Sequence, residues 1–477
     1  MCRTEYGNYQ HLLSGPSLWS VNLFAHCHYC HIQTRARGPT RQTPVVRTIV
    51  TTTPMTDTDS QTTKKRAPAR PGTARAAFGY RDFRIMWYSN FLSNIGTWMQ
   101  NVVLPAYIYQ RTHRASAVGI FVFAQLGPLL LLSIPAGVLA DRFDRRKWLV
   151  FAQSIQMFGS VMLGILTITH APILALFLAQ MTVGIGNACN APAFSAVLPS
   201  LVRPEDLGGS ISLNSASING SRVSGPILVA VMMSWGVTAG QVFIFNAATY
   251  LFVTWAVLHI TLPPHTPQRE HGLKSFTAGF RVARDRPSIG RMLMSMSSFS
   301  MFCLPFVGLF PAVADLTFHI QPKTVMYKWL YATWGFGALL GALAIGTVLA
   351  PFDKRKVARV GFFAFSISMT LFATVRGTTL AFITAFFLGI AYFGTTTSLM
   401  TVFQSRLETN IRARVMALWF MAFGGTIPLG NAIFGPVMDA IGSRPVLYMG
   451  ALWALFLSWW CNIEKIDQRD VSQPIKA

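Results

Sequence analysis

Arg222 stands alone as a charge within a run of apolar and small residues extending from about 210 to 234. A guanidinium at depth in such a run costs several kcal/mol unless it faces a cavity or a partner. Two roles suit it there: a cationic anchor for an anionic solute, or a gating charge. Nearer the end of a run it would instead snorkel toward the headgroups. Six amides also sit at mid-depth in apolar runs: Asn94, Gln100, Asn187, Asn190, Asn246 and Asn431. With Arg222 and the aromatic side chains of Trp334 and Tyr392, they are the expected lining of a substrate cavity. Each amide can alternatively be spent on hydrogen bonds between helices.

What is missing narrows the chemistry further. No Asp or Glu lies in the middle of an apolar run: Asp141, Asp315 and Asp439 fall near run ends, and Glu205 and Glu408 between runs. A buried carboxylate with a raised pKa is a means of trading a proton for a cationic drug. Without one, a neutral or anionic, aromatic-rich solute fits better. Proton coupling would then rest on Asp141, Asp315, Asp439 or His319. No Ser/His/Asp or Cys/His set and no phosphate-cradling loop accompanies the runs, so neither an enzyme nor a cofactor is expected. Cys27 and Cys30 form a CxxC beside His26, His28 and His31. One ligand pair is too little to predict a metal site. Cys189 and Cys303 lie within apolar runs and read as small hydrophobes.

What must position these residues is a set of long apolar helices. Of 477 residues, 52% are hydrophobic and 12% charged, about half the charged share of a soluble protein. The apolar residues come in blocks, and roughly 20 such residues cross the hydrocarbon of a bilayer. Helices are the form that satisfies the backbone there. Twelve spans are expected, at about 85–109, 116–140, 148–168, 171–195, 210–234 and 239–261, then 288–314, 326–350, 357–375, 378–402, 413–440 and 444–463. The chain thus divides into an extension (1–77), a first six-helix half (78–262), a linker (263–287), a second half (288–463) and a tail (464–477). The extension is rich in Thr, Arg and Pro, so disorder is expected, with translation expected to start at Met55. Within the linker, 273–284 has the spacing of an amphipathic helix lying on the membrane surface.

The net charge of +23 is distributed by loop. Arg142, Arg145, Arg146, Lys147, Lys354, Arg355, Lys356, Arg406, Arg412 and Arg414 fall on one side, with few cations on the other. That side is cytoplasmic by the positive-inside rule, which puts both termini in the cytoplasm of a plasma-membrane protein. Lipid headgroups, not nucleic acid, are the partner such loops imply.

Two of these loops match. GVLADRFDRRK (137–147) closes span 2 and GTVLAPFDKRK (346–356) closes span 8, 209 residues on. Phe143, Asp144, Arg146 and Lys147 fall in register on Phe352, Asp353, Arg355 and Lys356. A duplicated fold of two related halves follows.

The first loop resembles the signature between spans 2 and 3 of the major facilitator superfamily, and the resemblance covers about 84–463. Within that superfamily the chain is similar to the enterobactin-exporter and proton-antiporter branch, on NFLSNIGTWMQ (90–100) and NGSRVSGP (219–226). The resemblance implies an all-α membrane protein of twelve transmembrane helices in two pseudo-symmetric halves. It also implies a cytoplasmic latch, in which Gly137 permits close packing and Asp141 faces the N-terminus of span 11. Arg142, Arg145, Arg146, Arg412 and Arg414 complete that charge cluster. The second copy has Ala350 and Pro351 where the first has Asp141 and Arg142, so the latch is expected in the first half only. Gly225 and Pro226 are expected to bend span 5, because proline deprives the Arg222 carbonyl of its helical partner. In antiporting relatives such a pair goes with export, although ILVA (227–230) follows here without that motif's further glycines. The expected activity is export of a small amphipathic, neutral or anionic molecule, siderophore-like or drug-like, by a monomer using protons. Uptake by the same fold, or a sensor or scaffold without transport, are the alternatives.

Overall fold

The computed structural model describes residues 72–262, 280–407, 415–416 and 418–463, with backbone only at 133–134, 137–138, 141 and 196. The Cys27/Cys30 pair, the Met55 start, most of the linker, the tail, Arg412, Arg414 and the Asp141 side chain lie outside this description. All the described residues fall within one compact unit.

Every regular element among the described residues is helical, and each apolar run carries helix. After a single turn at Ala74–Ala77, the first six long helices are α1 (Arg81–Thr112), α2 (Ala115–Arg142), α3 (Arg145–Ile168), α4 (Ile173–Ser200), α5 (Leu207–Ser234) and α6 (Ala239–His259). The run at 287–318, α7, is broken into Pro287–Ser298, a π segment Phe299–Cys303, Pro305–Gly308 and Phe310–Phe318. Then come α8 (Val325–Gly346), α9 (Lys354–Thr374) and α10 (Thr378–Ser405). Next is α11 (Leu418–Ile441), which contains a second π segment, Met421–Gly425, and last α12 (Ser443–Trp460). Eight of these helices are long and apolar enough to cross a membrane. α1 and α5 carry more polar residues, α12 is short, and α7 is interrupted.

The repeated aspartates have a local task. Asp144 accepts a hydrogen bond from the Lys147 amide (3.0 Å) and Asp353 from the Arg355 amide (2.9 Å), so each caps the helix that follows it. The loops otherwise differ: α2 continues through Arg142, whereas α8 stops at Gly346 and Pro351 falls in the turn.

Packing repeats as well. α2 and α3 pack on α4, α3 on α6, and α1 on α5 and α6; six helices on, α8 and α9 pack on α10, α9 on α12, and α7 on α11 and α12. Across the two sets, α2 meets α11 and α5 meets α8. Glycine permits this approach. A Cβ on Gly119 would strike the Asn431 carbonyl, and one on Gly435 would lie 2.8 Å from the Ser116 Cα.

Candidate functional site

Arg222 occupies the middle of α5, not its end, and it does not snorkel. Its guanidinium carbon lies 4.8 Å from the ring centre of Trp98 on α1 and 4.3 Å from that of Phe393 on α10. One ring comes from each set of six helices, so the cation is held at the seam between them. Its Nε and Nη1 are shielded from solvent and have no hydrogen-bond partner among the described residues. No acidic residue lies on α5, α8 or α10 to neutralise it. Cation–π contact returns about 0.5–2 kcal/mol per ring, less than the cost of leaving charged donors unsatisfied. The arrangement is therefore primed for an acceptor.

Aromatic side chains continue the site. Trp334 stacks on Tyr392 with centroids 5.9 Å apart and planes 14° apart, and Tyr331 meets Trp334 edge-on at 5.2 Å. Tyr392 adjoins Phe393 at 4.4 Å. The Trp334 indole N–H and the Tyr327 hydroxyl also have no partner among the described residues. α8 and α10 can place these rings so closely because Gly337 and Gly389 fit against the Phe386 and Trp334 carbonyls.

Gly225 lies against α1: a Cβ there would sit 2.6 Å from the Trp98 Cβ and 3.0 Å from the Ile95 carbonyl. Gly225 therefore sets the depth of Trp98 beside Arg222. α5 is helical through Pro226, and the Arg222 carbonyl lies against Gly335 of α8.

The amides divide. Gln100 and Asn246, expected to line a cavity, are buried inside the first six helices and bonded to one another: Asn246 donates to Gln100 Oε1 at 2.7 Å. Ser160 donates to the same oxygen at 3.1 Å, and Gln100 donates to Gln180 Oε1 at 3.1 Å. These groups join α1, α3, α4 and α6 and face no open space in this conformation. Asn190 accepts from Gln153 at 3.1 Å, which joins α3 to α4. Asn431 is also buried, donating to the Ile427 carbonyl at 2.9 Å beside Gly308 of α7. Asn94 and Asn187 are half-buried. Thus Arg222, Trp334 and Tyr392 come together, while Gln100 and Asn246 serve the packing of one set. Trp98, Phe393 and Tyr331 are the site residues that sequence reasoning did not single out.

At one end the two sets are fastened by carboxylates. Asp439, near the end of α11, accepts from the backbone amides of Ala115 (2.6 Å) and Ser116 (2.9 Å) in the first turn of α2. Tyr109 of α1 donates to Asp315 of α7 at 3.2 Å. At the opposite end, Arg146 donates to the Ile260 carbonyl at 2.7 Å, tying α3 to the end of α6. Arg145 is half-buried and Arg142 exposed. Asp206, in the turn before α5, accepts from the Gly72 amide and the Tyr80 hydroxyl, both at 2.8 Å. Those two bonds hold its carboxyl below the usual range, and the carboxylate in turn raises the Tyr80 hydroxyl above its own.

A profile of the transmembrane secretion effector family matches residues 72–474. The enterobactin exporter EntS of Escherichia coli O1:K1 / APEC is 25% identical over 386 residues, 79% of this chain and 91% of that one. A mutant form of the nucleoside transporter NupG has a similar fold, with a TM-score of 0.66 at 14% identity over 81% of this chain and all of the other. A bacterial homologue of the human lysosomal transporter Spinster, in an inward-facing and unoccupied conformation, gives 0.64 at 14% identity over 82% and 98%. With this profile, these relatives and this fold, the chain belongs to the transmembrane secretion effector family, as a multi-pass secondary transporter of the major facilitator superfamily in its enterobactin-exporter-like branch.

Proposed function

We propose that the protein exports a small amphipathic molecule, neutral or anionic and rich in aromatic or conjugated groups, by alternating access across twelve spans. One observation carries this reading: the Arg222 guanidinium, between rings from both sets of helices, with donors that no protein group satisfies among the described residues. A carboxylate, phenolate or hydroxamate can accept from those donors while its apolar body lies against Trp334 and Tyr392. A lipophilic cation would meet a like charge and no counter-ion. Relatives named as enterobactin exporters favour outward transport of a siderophore-like or drug-like solute.

In this reading the loop carrying Arg142 to Lys147 is cytoplasmic, and the end fastened by Asp439 and Asp315 is the outer one. Protons are the counter-ion, exchanged at those two carboxylates, whose bonds cross the seam. The test is uptake into inverted vesicles acidified inside, with aromatic anions, neutral aromatics and aromatic cations compared. Uptake of the anions or neutrals that collapses when the gradient is discharged supports the proposal. Preference for the cations, or gradient-driven flux only in right-side-out vesicles, refutes it.

A further inference from the structure

Two cations stand on the helices that meet at the α5/α8 seam, and the Arg222 site uses one. The other is Lys328, in the first turn of α8 and only 2% exposed. A buried ammonium is costly unless it is paired, and the dipole of a helix opposes a cation at its N-terminus. Little offsets either cost here. The Lys328 Nζ donates to the Lys323 carbonyl at 2.7 Å, and Lys328 forms no ion pair among the described residues. No acidic residue lies on α5 or α8. By contrast, Lys354 in the first turn of α9 donates from its Nζ to the Leu349, Ala350 and Phe352 carbonyls, all within 3.0 Å. An ammonium carries three N–H groups, so Lys328 keeps two that no described group takes up.

Helix geometry puts this charge in line with Arg222. A Cβ on Gly335 would lie 3.5 Å from the Arg222 carbonyl, so Gly335 marks where α8 meets α5. Lys328 precedes it by seven residues, or two turns. It therefore shares that face, about 10 Å nearer the end fastened by Asp439 and Asp315. Ala332, buried between them, continues the same stripe. Tyr331, one turn on from Lys328, meets Trp334 at 5.2 Å. We infer that Lys328 is a second binding station for the carboxylate or phenolate of the solute, uncovered when α5 and α8 part at that end. Resting on the anionic reading of the Arg222 site, this step passes the negative charge from guanidinium to ammonium. The aromatic body meanwhile slides along Trp334 and Tyr331. In the present conformation the station is covered, which is why its ammonium has so few partners.

The test is calorimetric titration of the full chain in detergent with naphthoate and with naphthamide, its uncharged counterpart. The wild type should bind naphthoate in two classes and naphthamide in one. Lys328→Met should weaken the second naphthoate class about tenfold or more, as for the loss of a charge-assisted bond. It should leave the first class within about twofold, and Lys328→Arg should keep both. The methionine variant should melt no lower than the wild type, because an apolar side chain replaces a buried charge that lacks a counter-ion. A lysine serving only to fasten the Lys323 carbonyl would instead lower Tm on substitution and leave both classes in place, which would overturn the inference. If the methionine variant folds poorly, Lys328→Gln, which keeps a donor for that carbonyl, carries the comparison. A single naphthoate class in the wild type, a second class that survives loss of the ammonium, or naphthamide filling both would also overturn it. Arg222→Gln separates the two readings. If it leaves naphthoate binding intact while Lys328→Met removes one class, the Arg222 reading fails and the ammonium station stands. If Arg222→Gln alone abolishes both classes, Lys328 is no station.

Discussion

Asp439→Ala removes both acceptors that hold the first turn of α2 against the end of α11. A hydrogen bond to a charged acceptor contributes about 1.5–3 kcal/mol, and a carboxylate on a helix N-terminus about 0.3–1 kcal/mol more. The Ser116 bond is at the exposed edge of the contact, so water offsets much of its loss. About 3 kcal/mol for the pair is a fair total, or roughly a hundredfold in the equilibrium between forms closed and open at this end. A shift of that size carries a population of about 99:1 close to parity. The assay is pulsed electron resonance between spin labels at Thr169 and Arg376, on connections of the two helix sets at this end, in a background without native cysteines. The alanine variant should transfer much of the distance distribution to longer values. Asp439→Asn, which keeps an acceptor and loses the charge, should shift it about tenfold less. Variants that fold like the wild type and leave the distribution unchanged would show that this carboxylate does not hold the ends together.

Other perturbations test neighbouring parts of the account. Gly119→Ala drives a methyl onto the Asn431 carbonyl; overpacking of about 1–3 kcal/mol should act only on the form closed at that end, so the same labels should report opening while Tm changes little. Gln100→Ala breaks three bonds inside the first set; at about 0.6 kcal/mol per interhelical bond in a membrane, unfolding in denaturant should cost about 2 kcal/mol less. Asp206 has a depressed pKa, so its hold on Gly72 and Tyr80 is complete above the ordinary carboxylate value of about 4. Protection of the Gly72 amide, taken as its exchange rate relative to an unprotected amide at the same pH, should therefore persist down to about pH 4 and fall only below it. Fast exchange at neutral pH would contradict the geometry.

Much of this architecture is legible in the sequence, for physical reasons. Apolar blocks located the helices because lipid demands them, and the matched loops around Asp144 and Asp353 stand at corresponding places in a helix packing that repeats six helices on. The structure adds that both aspartates are caps. Arg222 was conspicuous because charge in an apolar run is costly. Its partners were not: Trp98 and Phe393 are ordinary aromatics in apolar helices, and nothing in their spacing shows that they meet one guanidinium across nearly three hundred residues. Gln100 and Asn246 look identical to cavity-lining amides in sequence, since the choice between ligand and neighbouring helix depends on rotation about the helix axis. The π segments at Phe299–Cys303 and Met421–Gly425 also left no clear mark, because a single inserted residue changes register, not composition.

Transport by this chain turns on what the guanidinium at the seam binds. Trp98, 4.8 Å from it, makes tryptophan fluorescence a direct reporter for titration with an aryl carboxylate and its uncharged amide, in wild type and in Arg222→Gln. The wild type should prefer the carboxylate by about tenfold or more, as for a charge-assisted bond in a dry site, and the glutamine variant should lose the preference while still binding the amide. Equal affinity of the wild type for both ligands, or a carboxylate preference that survives without the guanidinium, would contradict this.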